Sequence, residues 1–126
     1  MEFNKELIYK IIDNKINKLE LHYLTKQELN ILYHALNLNY SLKKIDLSLN
    51  KIKDITLLCK SIENNSCLQE LVLSINQIKD ITHLKFLENS CLEVLFLSIN
   101  QIKDITPLKF LSNSCLQELE LSWRIK

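Results

Sequence analysis

Apolar residues along this chain recur in a short fixed pattern. The decapeptide LSINQIKDIT occupies residues 73–82 and again residues 97–106, and a near copy, LSLNKIKDIT, occupies residues 47–56. The period-two alternation just before and into each copy, as in Leu71 to Leu73, is typical of a short β-strand. The apolar residues that follow at spacings of three are typical of a tight helical turn. Each copy therefore predicts one strand followed by one short helical segment.

The copies belong to longer units that fill most of the chain. Units begin near residues 16, 42, 68 and 92, and a half unit begins at residue 116. A unit offers about seven apolar side chains worth roughly 1.5–3 kcal/mol each, whereas ordering it costs on the order of 1.5 kcal/mol per residue. One unit therefore cannot fold alone, and the units are predicted to stack with their strands in parallel. Residues 1–15 carry apolar side chains at helical spacing and are predicted to form an N-terminal helical cap.

The repeated residues carry a clear family resemblance. The pattern L-x-x-L-x-L-x-x-N-x-I resembles the leucine-rich repeat family, and the continuation N-x-I-x-D-I-T-P-L resembles the short repeats of internalins and of a protein phosphatase regulatory subunit. The longer units that begin at Ile16 and Leu42 are similar to the ribonuclease-inhibitor class. The resemblance implies an α/β leucine-rich repeat solenoid. Such a solenoid has a curved parallel sheet on its concave side and short 3-10 or α turns on its convex side.

The resemblance also suggests a role for the recurring asparagine. It implies that Asn50, Asn76 and Asn100 turn inward and form a structural ladder, because an amide side chain can both donate and accept hydrogen bonds. Leu24 and Arg124 replace this asparagine in the first unit and in the final half unit. The ladder is therefore predicted to end at those units.

Composition argues against several classes of function. The formal net charge is +1 and the chain contains no glycine. The near-neutral charge favours neither nucleic acid nor a membrane surface as a partner. Without glycine there is no glycine-rich phosphate loop and no G-x-S-x-G elbow. We therefore expect no enzymatic activity and no cofactor. The column Asp54, Asp80 and Asp104, beside lysines, is interpreted as a solvated charge ladder.

The residue usage also gives expectations about location and source. The N-terminus lacks a secretory signal pattern, and no apolar run is long enough to span a bilayer. We therefore expect a cytoplasmic protein with reduced thiols. Abundant Ile, Asn and Lys indicate an AT-rich genome.

Three cysteines share one repeat position. Cys67, Cys91 and Cys115 each stand just before a predicted strand, so stacking would align them in a column. A metal site needs ligands that converge on one point, whereas the members of a column lie in a line. Free cysteine is also a good small core residue. The column is therefore expected to pack in the core, with no metal site.

The concave face of the predicted sheet is the candidate binding surface. Its middle is apolar, with basic residues toward the N-terminal end of the sheet and acidic residues toward the C-terminal end. An apolar patch with a charged rim is typical of protein interaction surfaces. The position just before the asparagine is also apolar, and it either contacts a partner or packs against the neighbouring loop. The predicted protein-binding residues are Val72, Val94, Phe96, Ile75, Ile99, Trp123, Glu70, Glu93 and Glu118.

These features favour a non-enzymatic module that binds an unidentified protein partner through its concave sheet. Two alternatives stay open. The chain could be a lineage-specific structural repeat protein without a defined partner, or a recognition subunit or fragment of a larger assembly such as a ubiquitin ligase or phosphatase complex. At the C-terminus, Trp123 and Ile125 either cover the end of the stack, or leave an open strand edge, or mark a truncated chain.

Overall fold

The computed structural model describes residues 1–88, 90–113 and 115–122. Helices and strands alternate along these residues. In order they are α1 (Lys5–Ile12), β1 (Lys18–Glu20), α2 (Lys26–Leu36), β2 (Lys44–Asp46), α3 (Thr56–Ile62), β3 (Glu70–Val72), a first 3-10 helix (Thr82–Leu87), β4 (Val94–Phe96), a second 3-10 helix (Thr106–Asn113) and β5 (Glu118–Glu120).

The five strands form one parallel sheet in chain order, β1-β2-β3-β4-β5. Equivalent residues of successive units pair directly, as Leu19 pairs with Ile45 and Leu71 with Leu95. The inward residues of the first four strands are fully buried, whereas Leu119 of β5 is 38% exposed. The expected α/β leucine-rich repeat solenoid is therefore confirmed.

The convex segments differ in helix type because the units differ in length. In the unit of 26 residues that begins at Leu42, Leu58 and Ile62 are four apart, and both are buried in the α-helix α3. In the shorter unit that begins at Leu68, Ile81, Leu84 and Leu87 are three apart, and the segment is a 3-10 helix. A spacing of three matches the 3-10 helix, and a spacing of four matches the α-helix.

Helix α1 lies at the N-terminal end of the stack. Asn4 caps it by accepting a hydrogen bond from the Leu7 backbone N–H at 2.9 Å. Leu7 and Ile11 are buried, and the helix contacts α2 of the first unit. Its apolar face therefore covers the first unit's share of the core.

Buried asparagine side chains link successive units on the side where the chain leaves the sheet. The Asn76 amide donates to the carbonyls of Leu47 and Leu73, at 3.1 and 3.0 Å, and its oxygen accepts from the backbone N–H groups of Asn50 and Ile52 at 3.0 Å. Asn50 and Asn100 likewise donate to the carbonyl of the leucine three residues earlier and to one carbonyl of the preceding unit. These bonds satisfy backbone groups that the bend leaves unpaired.

A second asparagine column, which the sequence analysis missed, lies where the chain returns to the sheet. Asn39 and Asn65 are about as buried as Asn50, at 5% and 4% exposed. Asn39 donates to the Ile11 carbonyl at 2.8 Å and accepts from the Leu42 N–H at 3.0 Å, so it links α1 to the repeats. The signal was present in the sequence, because an asparagine stands three residues before the first leucine of each unit from residue 42 onward.

The expectation that the cysteine column packs in the core is wrong. Cys67, Cys91 and Cys115 are all exposed free thiols. At this point the inward positions belong to Asn65 and to the leucine that follows each cysteine, so the cysteine side chain points outward. The buried thiol is Cys59 of α3, and burial raises its pKa to about 12.

The start of the second 3-10 helix differs from the one that its local sequence favours. The sequence Thr106–Pro107 is typical of an N-cap followed by a proline in the first turn. In the structure Thr106 is already the first residue of the 3-10 helix, and Asp104 accepts a hydrogen bond from its backbone N–H at 2.9 Å. The side chain that binds the first N–H of this segment is therefore that of Asp104, two positions before the helix.

Candidate functional site

The concave face presents the outward side chains of the five strands. On β3 and β4, Val72 pairs directly with Phe96, and Glu70 pairs with Val94. Val72, Val94 and Phe96 are half-buried, because neighbouring strands shield the side chains on a short sheet. The structure thus brings these three apolar residues together as one patch in the middle of the sheet, which we call the concave patch.

Acidic side chains border the concave patch. Glu93 is half-buried beside it, and Glu118 and Glu120 on β5 are exposed. On the other side, the Glu70 carboxylate forms an ion pair with the Lys44 ammonium at 3.1 Å. Lys44 forms a second ion pair with Glu20 at 3.5 Å. The hydrogen bond to Glu70 is the largest cause of the raised pKa of Lys44. Glu70 is therefore partly neutralised within the chain, whereas the border formed by Glu118 and Glu120 keeps its charge available.

Ile75 and Ile99 lie at the edge of the sheet, three residues past the ends of β3 and β4. Both have a left-handed backbone, with φ of 55° and 59°, and so do Tyr23 and Leu49 at the same repeat position. This conformation costs about 1–2 kcal/mol for a residue with a β-carbon. The Ile75 N–H donates to the Ser98 carbonyl at 2.9 Å, so the backbone ladder continues through the bend. Ile75 is 42% exposed and Ile99 is half-buried. Trp123, at the same repeat position, lies outside the described residues.

The aspartate column forms turns at the start of each convex segment. Asp54, Asp80 and Asp104 each accept a hydrogen bond from the backbone N–H two residues later, at 2.8 to 2.9 Å. Hydrogen bonds from Thr56, Thr82 and Thr106 are the main cause that lowers the pKa of each carboxyl. The column is exposed, as interpreted from the sequence, but its oxygens are also engaged in holding the backbone.

No group of three His, Cys, Asp or Glu side chains within the described part of the chain could hold a metal ion. None of the helices in residues 1–88, 90–113 and 115–122 is long and apolar enough to cross a membrane.

Comparison with family models matches residues 66–123 to the leucine rich repeat family. The matched stretch contains β3, β4, β5 and both identical decapeptides. Residues 66–123 belong to the leucine-rich repeat family. The resemblance drawn from the sequence is thereby confirmed. No curated protein sequence matches the chain.

Solved structures share the fold of this chain. Actin-binding site 2 of leiomodin-1 matches with a TM-score of 0.78 and 15% identity, over 99% of this chain and 82% of that one. Internalin C2 of Listeria monocytogenes matches with a TM-score of 0.63 and 24% identity, over 95% of this chain and 57% of that one. An internalin (inlF) of the same organism matches with a TM-score of 0.64 and 24% identity, over 94% of this chain and 32% of that one. The chain thus spans about half and about a third of the two internalins.

The repeats also form a groove outside the concave face. It lies where the chain leaves the sheet, between the first two units, and has a volume of about 900 Å³. We call it the edge groove. Residues 23–33 and 49–57 line most of it, and Gln77 of the third unit is also part of the lining. The repeat pattern does not predict this groove, although Leu24 replaces the ladder asparagine in the unit that forms one of its walls.

Proposed function

We propose that this leucine-rich repeat protein is a non-enzymatic interaction module that binds a protein partner through the concave patch. The observation that carries the proposal is the direct pairing of Val72 with Phe96 beside Val94, at the centre of an open sheet. Apolar side chains at solvent-facing positions, bordered by charge, are typical of interaction surfaces. Stacked repeats of this kind form extended concave surfaces that serve for binding.

The charge around the concave patch indicates which side chains a partner should carry. The border carries Glu93, Glu118 and Glu120 without an ion pair to a described residue. A partner that places apolar anchors on the patch and basic side chains on this border would match it best. The match to an actin-binding site of leiomodin-1 is a precedent for protein binding by a chain of this fold and size.

The exposed thiols support a reducing compartment as the site of action. Cys67, Cys91 and Cys115 are free and accessible to oxidants, and such thiols persist where glutathione keeps them reduced. We therefore propose that the protein acts in the cytoplasm, which fractionation of the native cell with an antibody to the chain would test. Recovery in a secreted or organellar fraction would contradict this placement.

The test of the binding surface is a quantitative comparison of variants. Wild type and Val72→Glu with Phe96→Glu are used as baits in the native cell extract, and bound proteins are quantified by mass spectrometry. Val72 and Phe96 point out of the sheet, so the variant is expected to keep the fold, which circular dichroism checks. We expect loss of at least one protein that wild type enriches, because each glutamate places an unpaired charge where an apolar anchor would sit.

The matched control adds two charges away from both the concave sheet and the other grooves of the chain. Ile31 and Leu38 are 52% and 57% exposed. Ile31→Glu with Leu38→Glu should therefore leave the fold intact and retain every protein that the concave variant loses. If both variants recover the same set of proteins as wild type, the concave patch is the wrong surface and the proposal fails.

A further inference from the structure

The edge groove has a structural origin in the first unit. The connection from β1 to α2 contains residues 21–25, whereas the connection from β2 to α3 contains residues 47–55. Helix α2 therefore begins closer to its strand than α3 does. The two loops diverge, and the space between them is the groove.

The floor and walls of the edge groove are largely apolar. Buried side chains of the core, Leu29, Tyr33 and Ile52, are part of the lining. Tyr23 and Leu57 flank them and remain 78% and 50% exposed. A volume of about 900 Å³ is at the upper end of the range of ligand-binding pockets. The groove therefore offers apolar contact area that no part of the described chain covers.

The rim of the edge groove is basic. Lys26, Lys51 and Lys53 line it, and all three are exposed. None of them forms an ion pair with a carboxylate of the described residues. The one acidic lining residue, Asp54, already accepts hydrogen bonds from the backbone and side chain of Thr56. Burial raises the pKa of the Tyr33 phenol well above its usual range, so Tyr33 adds no negative charge.

We propose that the edge groove binds an acidic peptide segment of a protein partner, with apolar side chains seated between Tyr23 and Leu57 and carboxylates on the lysine rim. Three unpaired cations on one rim raise the local concentration of anionic segments and discriminate against basic ones. The apolar lining selects for a segment that also carries large aliphatic or aromatic side chains. This surface is separate from the concave patch, whose border is acidic.

Three synthetic peptides test the inference with the full chain. The first has leucine and phenylalanine along one helical face and glutamate elsewhere, the second replaces each glutamate by lysine, and the third replaces each apolar residue by serine. Fluorescence anisotropy of labelled peptides measures the binding affinity at low ionic strength. Changes in the backbone amide chemical shifts of the protein show where the peptide binds. We expect the first peptide to bind at least about tenfold more tightly than either of the others. We expect its shifts to fall in residues 23–33 and 49–57.

Charge reversal with a matched control tests the lysine rim. Lys26→Glu with Lys53→Glu should weaken binding of the first peptide by about tenfold, because two attractive contacts become repulsive. Lys79→Glu with Lys103→Glu makes the same change of charge at exposed lysines outside the groove. This control should change the affinity by less than about twofold.

A second pair of variants tests the apolar walls. Tyr23→Ser with Leu57→Ser should weaken binding of the first peptide, whereas Tyr40→Ser with Leu38→Ser should not. Tyr40 and Leu38 are 67% and 57% exposed and do not line the groove, so the two double variants remove similar exposed surface. All four residues are exposed, and each variant is expected to fold.

Several outcomes overturn the proposal. It fails if the first peptide does not bind, if the lysine and glutamate peptides bind alike, or if both charge-reversal variants weaken binding equally. It also fails if sedimentation shows a dimer that Lys26→Glu with Lys53→Glu dissociates, because the occupant would then be a second copy of this chain. Val72→Glu with Phe96→Glu should leave peptide binding unchanged, so this test is independent of the concave patch.

Discussion

The two identical copies of LSINQIKDIT make the same turns but differ in burial. In the copy at residues 73–82, Ile81 is 1% exposed, whereas its counterpart Ile105 is 54% exposed. Ile78 is fully buried, whereas its counterpart is half-buried. The backbone is alike in both, because φ at Ile75 and Ile99 is 55° and 59°. The decapeptide therefore determines the path of the chain, and the neighbouring units determine how much each side chain contributes to stability.

The largest test of this difference is a pair of alanine substitutions. Ile81→Ala should lower the free energy of unfolding by about 3 kcal/mol, because it leaves a cavity in a packed core. Ile105→Ala should cost about 1 kcal/mol or less, since more than half of that side chain is already in water. Urea denaturation followed by circular dichroism measures both. An equal loss of unfolding free energy in the two variants would show that Ile105 is buried in solution.

A smaller difference is expected for the buried asparagines of the two copies. The Asn76 oxygen accepts from two backbone N–H groups, whereas the structure shows one for Asn100, from Ile78 at 3.0 Å. Each buried donor left unsatisfied costs about 1–3 kcal/mol. Asn76→Ala should therefore destabilise the protein by about 3 kcal/mol. The cost of Asn100→Ala should be smaller than that by about 1 kcal/mol, because one donor fewer is left unsatisfied.

The same denaturation assay tests the asparagines, and exchange of backbone amides adds a local readout. The amides of Asn50 and Ile52 should lose protection in Asn76→Ala and keep it in Asn100→Ala. If neither variant is destabilised, water replaces the amide at no cost, and the ladder does not hold the units together.

The smallest effect is the contribution of Asp80 and Asp104 to stability at low pH, and it should be the same in both copies. The lowered pKa of Asp80 and of Asp104 means that the unfolded chain binds protons more readily than the folded chain. Each carboxylate therefore adds stability above the usual aspartate pKa of about 3.9, and this stability is lost as the pH falls through the lower, folded pKa. Near neutral pH the contribution is constant.

Thermal unfolding between acid and neutral pH checks the aspartates. Asp80→Asn and Asp104→Asn should each reduce the loss of melting temperature in acid by a similar amount, because both turns are exposed. A clear difference between the two variants would show that burial affects the turn as well as the isoleucines.

The repeat architecture could be predicted from the sequence because each strand and each bend is marked several times. The spacing of Leu58 and Ile62 against that of Leu84 and Leu87 even distinguished the α-helix from the 3-10 helix. The outward direction of Cys67 could not be predicted, because Asn65 and Cys67 are both small residues two apart and the local backbone decides which one points inward. The edge groove depends on where α2 starts, which the repeat pattern does not encode.

Only part of the candidate binding surface could be predicted from the sequence. Alternation along β3 and β4 predicts that Val72, Val94 and Phe96 point out of the sheet, and the structure places them side by side. The ion pair of Lys44 with Glu70 could not be predicted, since it depends on side-chain geometry across two strands. The role of Val72, Val94 and Phe96 in binding stays a prediction. Trp123, also predicted to bind, lies outside the described residues.

The identity of the two decapeptides makes the length of this protein adjustable. Removing residues 73–96 would join Val72 to Leu97 and recreate the same LSINQIKDIT at the junction. The shortened chain would lose one whole unit with its strand, bend and 3-10 helix, while the remaining units keep their bends, so its sheet would narrow by about 4.8 Å. Gain of a unit would widen it by the same step. The width of surface that a partner meets can therefore change by whole units without the design of any new turn.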